Sequence, residues 1–438
     1  MPIWKSRPRK GGHMMATDAK RRAAEALLHV LPLPGREAGW ARETRAAART
    51  QLLEAGAPVR RDEYWKYTDP ARLTAPIAAV DATEARPDFE SQFGDVHPRR
   101  ARFVNGHYRP DLSDDITQDG LAVTTLSEIL QQDLSFARDL FGKLEAAGQE
   151  KVDRPLAALN TACATEGLVL HVTGPVAESL HLRHDQVGEG ASLLRHLIRV
   201  EPGASLMLLE SGTVTNKVIE IDIADGAKFQ HVRLQEGPRA PSAGHIFVRL
   251  GAVAQFKTFT LTADGEMTRN EVVMEFVGDN AVGHVAGAVL AKGESHIDNT
   301  VFVTHGAEGC ESRQVFKNVL TDRARGIFQG KIFVRPAGQK TDGYQISQAV
   351  LLNEEAEFSA KPELEIYADD VKCSHGSTTG RLDEEAMFYL RSRGVPYAEA
   401  EAMLVAAFAE EAFEEIDNDA LAEAMRAHVA RWMAARYG

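Results

Sequence analysis

Three Gly-Ala steps, at Gly203, Gly226 and Gly251, recur 23 and 25 residues apart, and that spacing constrains the fold more than any other feature. A repeat of this length suits one coil of a β-solenoid and is too short for a propeller blade. Apolar, β-rich runs alternate with these turns: Leu168–Val172, Leu193–Val200, Leu206–Leu209, Val218–Ile223, Phe229–Leu234, Ile246–Leu250, Phe256–Leu261 and Val272–Val277. No helix-length amphipathic pattern interrupts them, which disfavours βαβ folds. A sandwich or barrel fits the number of strands, but the regular turns point to a parallel β-helix. Its inward Val, Ile, Leu and Phe side chains would form one continuous core.

Helical signals flank the strands. Thr17-Asp18 caps a run from Ala19 to Val30 that ends at Pro32 and Pro34. A second run, Glu37 to Glu54, is stopped by Gly56-Ala57-Pro58. The aromatic stretch Glu63 to Pro70 reads as a packing anchor for the next region. Beyond Gly380, Asp383 opens a helix that stops at Gly394, Pro396 opens another, and Asn418-Asp419 caps a last one carrying Leu421, Met425, Val429 and Trp432. These helices are expected to cap the end of the stack, to dock a partner, or both. The expected division is a flexible extension 1–16, an N-terminal helical region 17–120, a β-helix core 121–380 and a C-terminal helical domain 381–438. The fold class is therefore mainly β, with helical regions at both ends.

Composition removes several functions. A net charge of −13 argues against a nucleic-acid binder, which carries a basic stripe or domain. The longest strongly apolar stretch, Ala402 to Ala409, is far shorter than the roughly 20 residues that cross a bilayer. Cys163, Cys310 and Cys373 are odd in number and widely separated, which favours reduced thiols and a cytoplasmic setting over a disulfide framework. They are also too few to hold an iron–sulfur cluster alone, because such clusters usually take four protein ligands. No P-loop is present: Gly330-Lys331 and Gly338-Gln339-Lys340-Thr341 both lack the glycine spacing that wraps phosphate. Nucleotide chemistry is left to a partner.

Two polar clusters remain. Ser295-His296-Ile297-Asp298 imitates a catalytic triad, but adjacent strand residues point to opposite faces. His296, Asp298 and His305 form a loose metal-like set whose expected role is hydrogen bonding between coils. The densest constellation is Asp369 to Gly380. Cys373 and His375 lie two residues apart, on one face of an extended segment. Lys372 and His375 are expected to favour the Cys373 thiolate, the form that binds metal or persulfide, and a neutral imidazole ligates iron.

The stretch from His296 to Phe413 resembles the SufB/SufD family of iron–sulfur cluster assembly proteins. The motifs are Asn318-Val319-Leu320 with Gly326 to Ile332, Gln348 to Leu352 with Lys361 to Ile366, Ala368 to Gly376, and Phe388 to Gly394. Trp65-Lys66-Tyr67-Thr68 is similar to the family's N-terminal motif. Cys373-Ser374-His375-Gly376 resembles the SufD branch. The resemblance implies a right-handed parallel β-helix, pairing with a SufB-like paralogue and docking of a SufC-like ATPase on the C-terminal helices. It implies a non-catalytic subunit that holds no permanent cofactor. His375 matches the family's histidine at the cluster-assembly interface, a candidate iron ligand shared with the partner subunit, and Cys373 matches the neighbouring cysteine. A transient cluster or iron at that interface follows. Two other readings compete: a secreted-type β-helical polysaccharide-active enzyme and a stand-alone homodimeric scaffold.

Overall fold

The computed structural model describes residues 17–31, 34–79, 92–133, 135–146, 152–187, 190–236 and 240–437, so the extension 1–16 lies outside it. Helices α1 (Asp18–Val30) and α2 (Gly39–Ala55) open the chain. Strands β1 (Arg99–Val104), β2 (His107–Tyr108) and β3 (Leu121–Thr125) follow, with helix α3 (Leu126–Ile129) and the wholly buried α4 (Pro155–Cys163). Then come β4 (Leu168–Val172), β5 (Leu180–Asp185), β6 (Leu193–Val200), β7 (Ser205–Gly212), β8 (Asn216–Ile223), β9 (Lys228–Glu236), β10 (Ser242–Leu250) and β11 (Gln255–Ala263). The stack continues through β12 (Met267–Phe276), β13 (Val282–Ala291), β14 (His296–His305), β15 (Glu311–Leu320), β16 (Arg325–Val334), β17 (Asp342–Leu351), β18 (Glu357–Ile366) and β19 (Lys372–Gly380). Helices α5 (Glu384–Ser392), α6 (Tyr397–Phe413) and α7 (Asp419–Tyr437) end it.

Successive strands alternate between two sheets. One runs β19-β17-β15-β13-β11-β9-β7-β5-β1-β2 and the other β18-β16-β14-β12-β10-β8-β6-β4-β3. From β4 to β19 every pairing is parallel and in continuous register, the β-helix that the glycine spacing predicts. Ser205 faces Lys228, 23 residues on, and Glu311 faces Asp342, 31 residues on, so coil length varies along the stack. The predicted turns stack: Gly203 N–H donates to the Asp225 carbonyl, and Gly226 N–H to that of Ala252. Gly203 and Gly226 take left-handed backbone (φ 73° and 68°), which only glycine adopts freely. Gly251 is needed for a different reason. A Cβ there would lie 2.4 Å from Asp225 Oδ1.

Inward side chains such as Leu208, Ile219, Ile246, Phe256, Met274 and Val303 fill one continuous core between the sheets. The helices do not close the stack at its C-terminal end, as a cap would. Instead α6 and α7 pack along the outer flank of the ten-stranded sheet, where Val405, Phe413, Met425 and Val429 meet Val232, Phe259 and Ala286. The N-terminal segments cover the opposite flank, Trp40, Leu126 and Phe141 packing on Leu197, Val218, Phe247 and Phe302. Among the described residues, the terminal coil is left uncovered. Burying these outer apolar rows is worth about 25 cal/mol per Å2 removed from water, which favours the flank over the narrow end.

Candidate functional site at the open end of the stack

Strand β19 ends the ten-stranded sheet and hydrogen-bonds only to β17 within it, Cys373 facing Gly343 and His375 facing Gln345. Strand β18 ends the other sheet against β16. Among the described residues, neither has a sheet neighbour on its far side. Such an edge offers a row of backbone donors and acceptors to another chain. Pro362 belongs to this edge: it lacks an N–H, and proline is tolerated where a strand pairs on one side.

In β17 the alternate residues Gly343, Gln345, Ser347 and Ala349 are buried and point into the stack. Register places Cys373, His375, Ser377 and Thr379 on the same inward row, one coil further along. No coil covers them, so His375 is exposed while Cys373 is half-buried against Ile332, Val334 and Leu364. Directly beneath, both amide atoms of Gln345 and the Ser347 hydroxyl are buried without a hydrogen-bond partner. The end of the stack is therefore a polar surface made from what would otherwise be interior.

The structure keeps Cys373 and His375 on one face, as their spacing requires, but corrects the expected thiolate. Burial pushes the Cys373 thiol up, Asp342 adds to the rise, and a hydrogen bond with the Gly343 backbone only partly offsets it. Lys372 belongs to the opposite, outward row. Cys163 and Cys310 are buried, and desolvation raises both thiols as well.

His296, Asp298 and His305 do not converge. His305 points inward and contacts the Ser312 hydroxyl at 2.9 Å. His296 and Asp298 share the outward face and grip Thr68: its hydroxyl lies 2.9 Å from His296 Nε2 and donates to Asp298 Oδ2 at 2.6 Å. Arg269, which also pairs with Asp298, stacks 4.2 Å from the centre of the Trp65 ring. The aromatic motif is a clasp holding the N-terminal segment to the nine-stranded sheet, a tertiary form of the anchor read from sequence. Among the described residues, no three His, Cys, Asp or Glu side chains are placed to hold a metal ion.

Further along, Phe388 and Tyr389 on α5 and Tyr397 and Met403 on α6 expose about half or more of their surface, 74%, 55%, 50% and 49%. Met387 and Leu390 share one face of α5 by their spacing, yet no residue of this helix is buried.

Residues 182–408 match the family model described as SUF system FeS cluster assembly, SufBD core domain, which alone spans more than half of the chain. The chain belongs to the SufBD family. Residues 36–179 match the SufBD protein N-terminal region. The chain is 29% identical over 388 residues to the iron–sulfur cluster assembly protein SufD of Escherichia coli, covering 86% of this chain and 90% of that protein. A SufBD family protein of Synechocystis is also 29% identical, over 82% of this chain and 84% of its own length. A Mycobacterium tuberculosis member is 28% identical over 50% of this chain and 59% of its own. The SufBD motifs of the last third fall on β15 to β19, around the open end, and on α5. Membership displaces the polysaccharide-active reading and makes the chain a SufD homologue of the iron–sulfur assembly family. No helix of the described residues is long and apolar enough to cross a membrane.

Proposed function

We propose that the chain is a non-catalytic scaffold subunit of a SufBCD-type complex in the cytoplasm. Strands β18 and β19 pair with a SufB-like paralogue. His375, with Cys373 beside it, faces the thiolates that the paralogue supplies. His375 is the candidate iron ligand shared across that boundary; the cluster is cargo, built there and passed on. Residues 381–438 dock a SufC-like ATPase, for which the exposed aromatic side chains of α5 and α6 provide contact area. Because α6 and α7 lie along the sheet flank, ATP-driven movement of that partner would be transmitted to the strands and reshape the open end.

One observation carries this reading: His375 stands in an inward row yet is exposed, because the stack stops there. The test is His375→Ala produced together with SufB and SufC. The complex should elute intact on gel filtration while cluster formation falls at least about tenfold, the loss typical when a metal-site residue is removed. Assembly at the wild-type rate would reject the role. The same gel filtration, run with and without SufB and SufC, separates a heteromeric subunit from a stand-alone homodimer.

A further inference from the structure

The outer face of the ten-stranded sheet meets an acidic stretch, Glu411 to Asp417, at the end of α6 and just beyond it. Lys257 on β11 pairs with Asp417 at 2.6 Å, and His284 on β13 contacts Glu415 at 2.6 Å. Lys317 on β15 continues this ladder by donating to Glu411. It also reaches one strand further. Its ammonium donates to Oε1 of Gln348 on β17 and lies 4.9 Å from the centre of the Phe408 ring of α6. The Lys317 side chain is almost wholly buried among these partners, although Glu411 is exposed. Hydrogen bonds from an ammonium are the strong, geometrically fixed kind, and the aromatic face adds to them.

Apolar packing ties α6 to the middle of the sheet more closely than to its last strands. Val405, Ala409 and Phe413 pack with Phe259, Ala286 and Val315. Towards the open end, helix and sheet part around a cavity of about 320 Å3, lined by Leu404 and Phe408 of α6 and by Val350, Thr378 and Thr379 of β17 and β19. Ile346 and Leu352 reach the apolar cluster only half-buried. Dispersion contact is forfeited across such a gap, so the Lys317 bridge carries the more rigid connection there. Gln348 is also held from β15, where Asn318 Nδ2 donates to its carbonyl at 3.1 Å. In register it faces Thr378 of β19, three residues beyond His375. We propose that Lys317 is a positioning residue that makes α6 and β17 move together, so that displacement of the C-terminal helices reaches the strand carrying His375. That role rests on the docking of a SufC-like ATPase on residues 381–438.

Two measurements test the link. In the isolated full chain, Lys317→Met should speed amide hydrogen exchange along β17 and β19 about tenfold, the loss of one hydrogen bond to a charged group. Exchange along β9 to β13 should not change, because strands open in separate local units. Glu411→Gln, at an exposed position, should speed β17 and β19 about threefold, and it keeps the question decidable if Lys317→Met does not fold. In the complex with SufB and SufC, Lys317→Met should leave ATP turnover at the wild-type rate while clusters form about tenfold more slowly, a loss within the usual range for coupling between sites. Lys317→Arg should restore the yield of cluster per ATP. A lysine that merely stabilised the fold would lower ATP turnover and cluster formation together. Unchanged exchange in both variants would overturn the link, as would a wild-type yield per ATP in Lys317→Met. If the wild-type chain forms no complex with SufB and SufC, the scaffold reading fails, while the exchange result still decides whether Lys317 joins α6 to the last strands.

Discussion

His231 and His375 stand in one row of the ten-stranded sheet. Register runs from His231 through Thr258, Val285, Gln314 and Gln345 to His375, all on the inward face. His231 is sealed between coils and touches Glu210 at 3.2 Å and the Thr258 hydroxyl at 2.9 Å. Desolvation, with Lys217 and Arg233 nearby, holds it well below the ordinary imidazole range. His375 has the same backbone setting and the same orientation, but lies in the last coil and is exposed. Orientation within a strand does not make a histidine available; its position along the stack does. The first serves the interior, and the second is free for a partner.

The contrast can be broken most severely at the interior end. Glu210 is fully buried among Lys217, Arg233, His184 and His231. Burial pulls Lys217 far below and Arg233 to about 10. Glu210→Ala should cost about 3–5 kcal/mol, because it removes the one carboxylate these groups share, and a denaturant titration would register it. His231→Ala should cost about 2–4 kcal/mol through cavity formation and the loss of its contacts with Glu210 and the Thr258 hydroxyl. If either change proved as mild as a surface substitution, the interior row would not be the sealed polar column described here.

Acid sharpens the same comparison. His181 and His305 are held down to about 3, His181 by burial first and then by Arg183, and His305 by burial. An unfolded histidine titrates near pH 6.5, so between about 6.5 and 3 the unfolded state binds more protons than the folded one. Stability is then fully present above about pH 6.5 and is lost as pH falls through that window. Each such group contributes about 2 kcal/mol of loss by pH 5, or about 1.4 kcal/mol per pH unit. His305→Gln should flatten the measured pH slope by about one proton; an unaltered slope would contradict the buried, neutral state.

At the open end the effects on folding should nearly vanish. His375→Ala should change stability by no more than about 0.5 kcal/mol, as for an exposed side chain, so any loss of cluster formation is not a folding defect. Cys373, half-buried, should react with a thiol reagent ahead of the buried Cys163 and Cys310. Adding a SufB-like partner should protect it. Unchanged reactivity on complex formation would place the pairing surface elsewhere.

Much of the fold was legible because its period is local. Turn glycines repeat once per coil and apolar runs twice, and seven of the eight predicted runs lie inside the observed strands or match their limits. Val272–Val277 overruns β12 by one residue, and Leu168–Val172 coincides with β4. Other strands were hidden. In β1, Arg-Arg-Ala-Arg-Phe-Val reads as polar, although Arg102 is buried against Asp185. In β5, His181 and Arg183 interrupt the apolar reading of Leu180 and Leu182. The buried cluster of Glu210, Lys217 and Arg233 gave no warning either, since a charged side chain in an alternating strand reads as outward and only contacts between distant coils show it enclosed.

The candidate site divides the same way. Sequence alone placed Cys373 and His375 on one face, because side chains in an extended chain repeat every two residues. It also marked the repeating glycine turns and the helices at both ends, all properties of neighbours along the chain. Tertiary structure decided that the helices lie on the flanks, that the last coil stays uncovered and that Cys373 is desolvated while His375 is not. Those facts depend on what packs above and beside a residue, and contacts between segments far apart in sequence leave no periodic trace.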